Sequence, residues 1–197
     1  RALPMVIKVG GTDVLLINCY FPYDSRNAQS LAEFVDLLNV ISVLLSRFTT
    51  TPVVLVGDVN CDLSRESPRS RAFTEFCDRH CLGIAPLAPE SELHVSYSKT
   101  VLGRTHSSLI DWFVLSSEFG LETNGAKVSH APLLVSDHNP VSLTVRFPAP
   151  ILPSGTYAGG VGTGGPSPDV VFAPGKLSAD DWLRYQFVCD EALSVIV

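Results

Sequence analysis

Val53-Val54-Leu55-Val56 narrows the fold more than any other segment. It follows Pro52 without a polar residue and runs into Gly57-Asp58-Val59-Asn60. A strand with one wet face would alternate apolar and polar residues. This one predicts burial on both faces, in a sheet with layers above and below. The rest of the chain supplies such layers. Met5–Val9 and Val14–Tyr20 are apolar, β-branched runs separated by Gly10-Gly11-Thr12-Asp13, a hairpin pattern. Residues 27–48 read as an amphipathic helix, with Leu31, Phe34, Val35, Leu38, Ile41, Leu45 and Phe48 at helical spacing. Its start is either Asn27 or the capping-box pattern Ser30-Leu31-Ala32-Glu33. Ser67-Pro68 opens a second helix bearing Phe73, Phe76, Cys77 and His80. Leu109–Leu115, with one Asp inside it, and Val141–Phe147 read as further strands. The fold class is therefore α/β.

Composition excludes several functions. An apolar fraction of 46% is enough for a core, and no apolar run reaches the ~18 residues of a membrane helix. The five cysteines are scattered without a C-x-x-C pair, which argues against a disulfide framework or zinc ribbon. That pattern predicts an intracellular protein, nuclear or cytoplasmic, and not a secreted one. The net charge of −6 excludes binding of nucleic acid by bulk positive charge. Phosphate chemistry here would need a local site. Residues 148–175 hold seven Gly and six Pro and no Lys or Arg, and read as a linker. Beyond it, 176–197 reads as an amphipathic helix with Trp182, Tyr185, Cys189, Ala192 and Ile196 on one face.

Polar residues at strand ends carry the functional signal. They lie in Gly57-Asp58-Val59-Asn60, Ser108-Leu109-Ile110-Asp111 and Ser136-Asp137-His138-Asn139-Pro140. Sites in α/β sheets are commonly built at strand ends. An acid within an apolar strand needs a partner, and a histidine is the natural one. Asp111 orienting His138 would fix the imidazole tautomer and raise its basicity. Asp58, Asn60 and Asp137 are the oxygen and amide donors that a hard divalent cation prefers. Each segment alone has a plainer reading: a turn closing a strand, a loop before a strand, a core hydrogen bond. Their order and coincidence with strand ends favour one site.

These segments resemble the endonuclease/exonuclease/phosphatase superfamily, the DNase I-like and abasic-endonuclease-like fold, in the variant found in endonuclease domains of non-LTR (LINE-type) retrotransposons. The matching stretches are Leu16-Ile17-Asn18-Cys19-Tyr20-Phe21-Pro22, Val54–Asn60, Ser108–Leu115 and Ser136–Val141, in the family's order. The resemblance implies a four-layer α/β sandwich and metal-assisted attack of water on a phosphodiester, leaving a 3′-hydroxyl to prime reverse transcription. It implies that His138 acts at the scissile phosphate as general base or transition-state stabiliser, and that Asp111 orients it. Asp58 would activate or position the water, Asn60 and Tyr20 would contact phosphate, and Asp137 would help hold Mg²⁺, with Mn²⁺ as a possible substitute. Ser96 matches the family's Thr/Ser before an aromatic, with Ser98 as the alternative. DNA is the implied partner, with no membrane, and a covalently linked reverse transcriptase domain is implied in the parent protein.

Departures accompany the match. The family carries an Asn-bearing strand and a Glu metal ligand ahead of its Tyr motif, and neither has a counterpart here. Residues 1–147 are therefore expected to be the C-terminal part of the domain, without the N-terminal portion and inactive alone. Val59 stands where the family has Phe. Alternatives within the fold are a phosphodiesterase or phosphatase acting on RNA, nucleotides or phosphoinositides. A catalytically dead relic or binding module is the alternative outside enzymes. A Ser-His-Asp hydrolase lacks its G-x-S-x-G elbow. His80, His94, His106 and His130 read as surface or loop residues. Arg65, Arg69, Arg71 and Arg79 either line a DNA path or form a solvated face. No base is evident for a thiol nucleophile, Cys61 included.

Overall fold

A computed structural model describes residues 1–9, 11–119, 125–130, 136–145 and the backbone of 170–172. β1 (Ala2–Val9) and β2 (Thr12–Tyr20) form the expected antiparallel hairpin. α1 (Ala28–Leu45) follows, then β3 (Val53–Asp58), α2 (Pro68–Arg79) and β4 (Leu82–Ile84). β5 (Tyr97–Val101) and β6 (Arg104–Ser108) make a second hairpin. β7 (Asp111–Ser116), a short 3-10 turn, β8 (Lys127–Val128), β9 (Val141–Val145) and β10 (Val170–Phe172) complete the order. The main sheet runs β1-β2-β3-β7-β4, a smaller one runs β10-β9-β8, and β5-β6 stands apart.

β3 sits between β2, in parallel, and β7, antiparallel. Its alternate residues feed two cores. Val53, Leu55 and Val59 face the helices with Leu15, Ile17, Phe21, Phe34, Ile41, Phe73 and Phe76. Val54 faces the smaller sheet with Val14, Phe113, Leu115, Val128, Val141, Leu143 and Val145. The run without alternation is thus explained by two buried faces. The layers are helices, main sheet and smaller sheet, a mixed α/β sandwich.

Local chemistry set the element ends. Asn27, not the Ser30 capping box, caps α1: its side chain accepts from the Ser30 N–H at 2.8 Å, and Ser30 is buried inside the helix. α1 is long and apolar enough by composition to cross a bilayer, yet it lays Phe34, Leu38, Ile41 and Leu45 onto the sheet. Ser67 caps α2 and Pro68 stands in its first turn, as the sequence predicts. β7 starts at Asp111, so this acid opens the strand and is not embedded in it. β4, β5, β6 and β8 have no counterpart in the sequence reading. β4 and β8 are too short to show a period, and Lys99, Arg104 and His106 alternate with hydroxyl residues along β5 and β6, leaving no apolar face. Three residues of the expected linker, Val170–Phe172, pair with β9. The remainder of 148–175 and the helix expected at 176–197 lie outside the described residues.

At Gly57 the backbone of β3 lies close against that of β2. Its φ is +137°, and a Cβ there would lie 2.0 Å from the Cys19 carbonyl oxygen. Gly11, at φ +89°, has nothing within 4 Å of such a Cβ. Gly57→Ala is expected to cost at least about 3 kcal/mol, combining backbone strain with a main-chain clash. Gly11→Ala should cost about 1 kcal/mol, the strain alone. Urea denaturation of the two variants checks this, and equal losses would refute the close-approach account.

Candidate active site

The ladder of the main sheet sets out the site. Asp58 ends β3, where its register partners are Tyr20 on β2 and Asp111 on β7. Residues paired across a ladder point to the same face, so Tyr20, Asp58 and Asp111 form one row. It lies on the face that carries Val54 and Phe113, beyond the end of that core. His138 enters from the segment before β9. Its Nδ1 donates to the Asp111 carboxylate at 2.9 Å, and its Nε2 lies 3.9 Å from Asp58 Oδ2.

Asn60 adopts a left-handed conformation, φ +50°, which asparagine tolerates better than most residues. Its backbone N–H donates to Asp58 Oδ1 at 2.8 Å. Its side-chain amide donates to Asp58 Oδ2 at 3.1 Å and to the Phe21 carbonyl at 2.9 Å. The His138 segment is zipped to β5: Ser98 N–H donates to the Asp137 carbonyl at 2.8 Å, and Asn139 N–H to the Ser96 carbonyl at 2.6 Å. The Tyr97 ring meets the imidazole edge-on, centroids 5.2 Å apart. Ser136 Oγ accepts from the His138 N–H at 3.0 Å.

No family model and no curated protein matches the sequence. Solved structures do match. The endonuclease domain of TRAS1, a telomere-specific non-LTR retrotransposon, aligns with TM-score 0.57 at 16% identity, over 75% of this chain and 64% of its own. An endonuclease/exonuclease/phosphatase family protein from Leptotrichia buccalis aligns with TM-score 0.55 at 18% identity, over 75% and 54%. Beta toxin from Staphylococcus aureus gives TM-score 0.52 at 14% identity, over 71% and 55%. The chain has the endonuclease/exonuclease/phosphatase fold. It spans between about half and two thirds of the length of these structures.

Within this DNase I-like fold the structure brings Asp58, Asn60, Asp111 and His138 together, and leaves Tyr20 in the row beside Asp58, exposed to 59%. One expected role needs correction. Ser96 has no exposed surface and cannot reach a substrate. Its hydroxyl accepts from the Ile110 and Asp111 N–H groups at 3.0 and 3.1 Å, so it positions Asp111. Ser98, the alternative, shares a hydrogen bond with Ser107 at 3.2 Å. Asn60 directs its side-chain amide at Asp58 and Phe21, so its amide hydrogens position Asp58 before they contact any phosphate.

Asp137 faces Lys99 at 3.6 Å. Among the described residues no group of three or more His, Cys, Asp or Glu is arranged to hold a metal ion. Arg69 also differs from both readings given to it: it is buried, while Arg65, Arg71 and Arg79 are exposed. Its place in the turn after Ser67-Pro68, with Phe73 four residues on, was the available signal. His94, His106 and His130 are exposed, as expected. His80 is half-buried and bonds Ser42 Oγ at 2.8 Å. Burial pushes Cys61 up to about 11, so it holds no thiolate at neutral pH.

The carboxylates and the imidazole shape one another. Burial, and then the Asp111 charge, raise Asp58 to about 6. The hydrogen bond it donates to the Asp111 carboxylate raises His138 above its ordinary value against the opposing effect of burial. Asp58 is thus poised to exchange a proton near neutrality, while His138 is biased toward imidazolium. Asp111→Asn removes the main raising influence, so the His138 pKa should fall. An NMR titration of the imidazole checks this, and an unchanged or higher value would break the assigned pairing.

Stability should follow the same charges. An unfolded Asp releases its proton near ~3.9, whereas folded Asp58 holds it to about 6. The folded state binds more protons between these values, so stability falls as pH rises through that window. His138 acts in the same direction: its contribution is complete below its unfolded pKa and is lost as pH rises through the raised folded value. In Asp58→Asn the decline between pH 4 and 6 should shrink by about 1–2 kcal/mol. Urea denaturation across that range measures it, and an equally steep decline in the variant would contradict the assignment.

Proposed function

We propose that this chain is part of a phosphodiester hydrolase that nicks DNA, in the manner of an endonuclease serving retrotransposition. The carrying observation is the Asp111–His138 hydrogen bond with Asp58 beside it, set at strand ends of the DNase I-like fold. Asp58, raised toward neutrality, receives the proton of the attacking water. His138, held by Asp111 through Nδ1, presents its Nε2–H to a phosphate oxygen and stabilises the charge that builds there. Tyr20, exposed in the same row, contacts the strand.

Mg²⁺, or Mn²⁺ in its place, is proposed as the cofactor, and DNA as the substrate. Among the described residues no group of three or more His, Cys, Asp or Glu is arranged to hold a metal ion, and the chain spans 64% of the TRAS1 domain. Full activity is therefore proposed for a longer parent protein, linked to a reverse transcriptase domain and located inside the cell. Residues 1–197 alone should nick little.

Supercoiled-plasmid nicking in Mg²⁺ tests this reading. In the parent protein, His138→Ala and Asp58→Ala should each lower the rate at least ~10²-fold, and Cys61→Ala should change little. Full activity after His138→Ala would remove the central residue from the mechanism. Hydrolysis of a sugar phosphate or phosphoinositide that outpaces nicking would assign the same site to a phosphatase.

A further inference from the structure

We infer that Arg69 is a positioning residue: its buried guanidinium fixes the rim segment Tyr20–Tyr23 that the site presents to its substrate. Arg69 stands in the first turn of α2 and is 3% exposed. A buried charge is costly unless it is paired and hydrogen-bonded. Its guanidinium donates to the Pro22 carbonyl at 2.5 Å, to the Tyr23 carbonyl at 3.1 Å and to the Ser30 carbonyl at 2.9 Å. It lies 5.0 Å over the Phe34 ring, and its Nε faces Asp24 at 3.6 Å.

Two of these acceptors, Pro22 and Tyr23, belong to the connection between β2 and α1, and Ser30 lies in the first turn of α1. Asn60 takes the preceding carbonyl, that of Phe21, while the Phe21 N–H donates to the Asp58 carbonyl at 2.8 Å. Three consecutive carbonyls, Phe21, Pro22 and Tyr23, are therefore held from within the protein. The outer side of the segment carries Tyr20 and Tyr23, exposed to 59% and 72%. Two large aromatic side chains remain in water on a backbone anchored from inside. An exposed ring on an immobilised backbone loses little entropy when it binds. Aromatic side chains are the common sequence-tolerant contact for a nucleic-acid strand. A general stabilising role would be met by any apolar residue of similar volume. The fork aimed at three main-chain oxygens sets the path of the rim.

The substrate side of this inference rests on the DNA-nicking reading, so the test has two arms. In the first, hydrogen exchange is followed in the whole chain and in Arg69→Lys, which keeps the charge and loses the fork. Residues 21–27 should exchange about tenfold faster or more, with β3 and α2 little changed. An increase spread evenly over the molecule would make Arg69 merely structural and overturn the inference. Arg69→Ala should recover protection of the same segment in millimolar guanidinium chloride, and failure to do so counts against it.

In the second arm, binding of a short fluorescent DNA duplex is measured by anisotropy. Arg69→Lys and Tyr23→Ala should each weaken binding about fivefold, and the double variant should be no weaker than either alone. Additive losses would overturn the coupling between Arg69 and the rim. If the unmodified chain binds no duplex while the first arm succeeds, the DNA reading fails and the inference keeps only its account of the rim.

Discussion

β3 is the strand on which the other parts of the molecule depend. It is sandwiched between two strands of the main sheet and between two apolar layers, so every backbone and side-chain direction except its C-terminal end is taken. That end is where Gly57 and Asp58 sit. The close approach at Gly57 brings β2 against β3 at the height of Tyr20. β7 pairs antiparallel and delivers Asp111 to the same height from the other side. A central strand with no freedom to shift in register thus fixes the row Tyr20–Asp58–Asp111. A slip of one residue would turn Asp58 toward the helices and Val59 toward the cleft.

The row also places two carboxyl groups next to each other in a half-buried setting. Like charges so placed oppose joint ionisation. The imidazole relieves this from one side by hydrogen-bonding Asp111, and the two N–H groups of Asn60 support the Asp58 carboxylate from the other. Asp58 nonetheless remains raised to about 6. The fold therefore carries an acid held away from its solution preference, with a pKa near that a general base would use at neutral pH. At neutral pH this charged row is a burden on stability.

Much of this was legible because the physics of each part was local. Val53–Val56 has no alternation because both its faces are buried, and Asn27 and Ser67-Pro68 hold capping chemistry within three residues of the helices they start. An acid within the apolar run Leu109–Leu115 needs a partner, and that cost pairs Asp111 with His138 from the sequence. What escaped notice depends on contacts distant in sequence. Ser96 gives no hint that its hydroxyl will cap two amides 14 and 15 residues away. Arg69 looks like any cation on an amphipathic helix until the β2–α1 connection folds over it, 47 and 46 residues back at Pro22 and Tyr23. β5 and β6 are polar on both faces and are held as strands by pairing with each other and by hydroxyl pairs such as Thr100–Thr105.

Ser96 shows how the Asp and the His come to meet with useful precision. They lie 27 residues apart, on segments that share no ladder with each other. Ser96 touches both. Its N–H donates to the Ser108 carbonyl, its carbonyl accepts from Asn139, and its hydroxyl accepts from Ile110 and Asp111. One buried residue thereby locks the start of β5, the start of β7 and the strand-like segment around His138. A hydrogen-bonded pair built on two independent loops would sample many separations. With both backbones tied to one residue of 0% exposure, the carboxylate and imidazole are held before a substrate arrives. Such prior ordering is what lets a positioned group contribute fully at the transition state. A serine suits this place because its hydroxyl, with no exposed surface, accepts two amides at once.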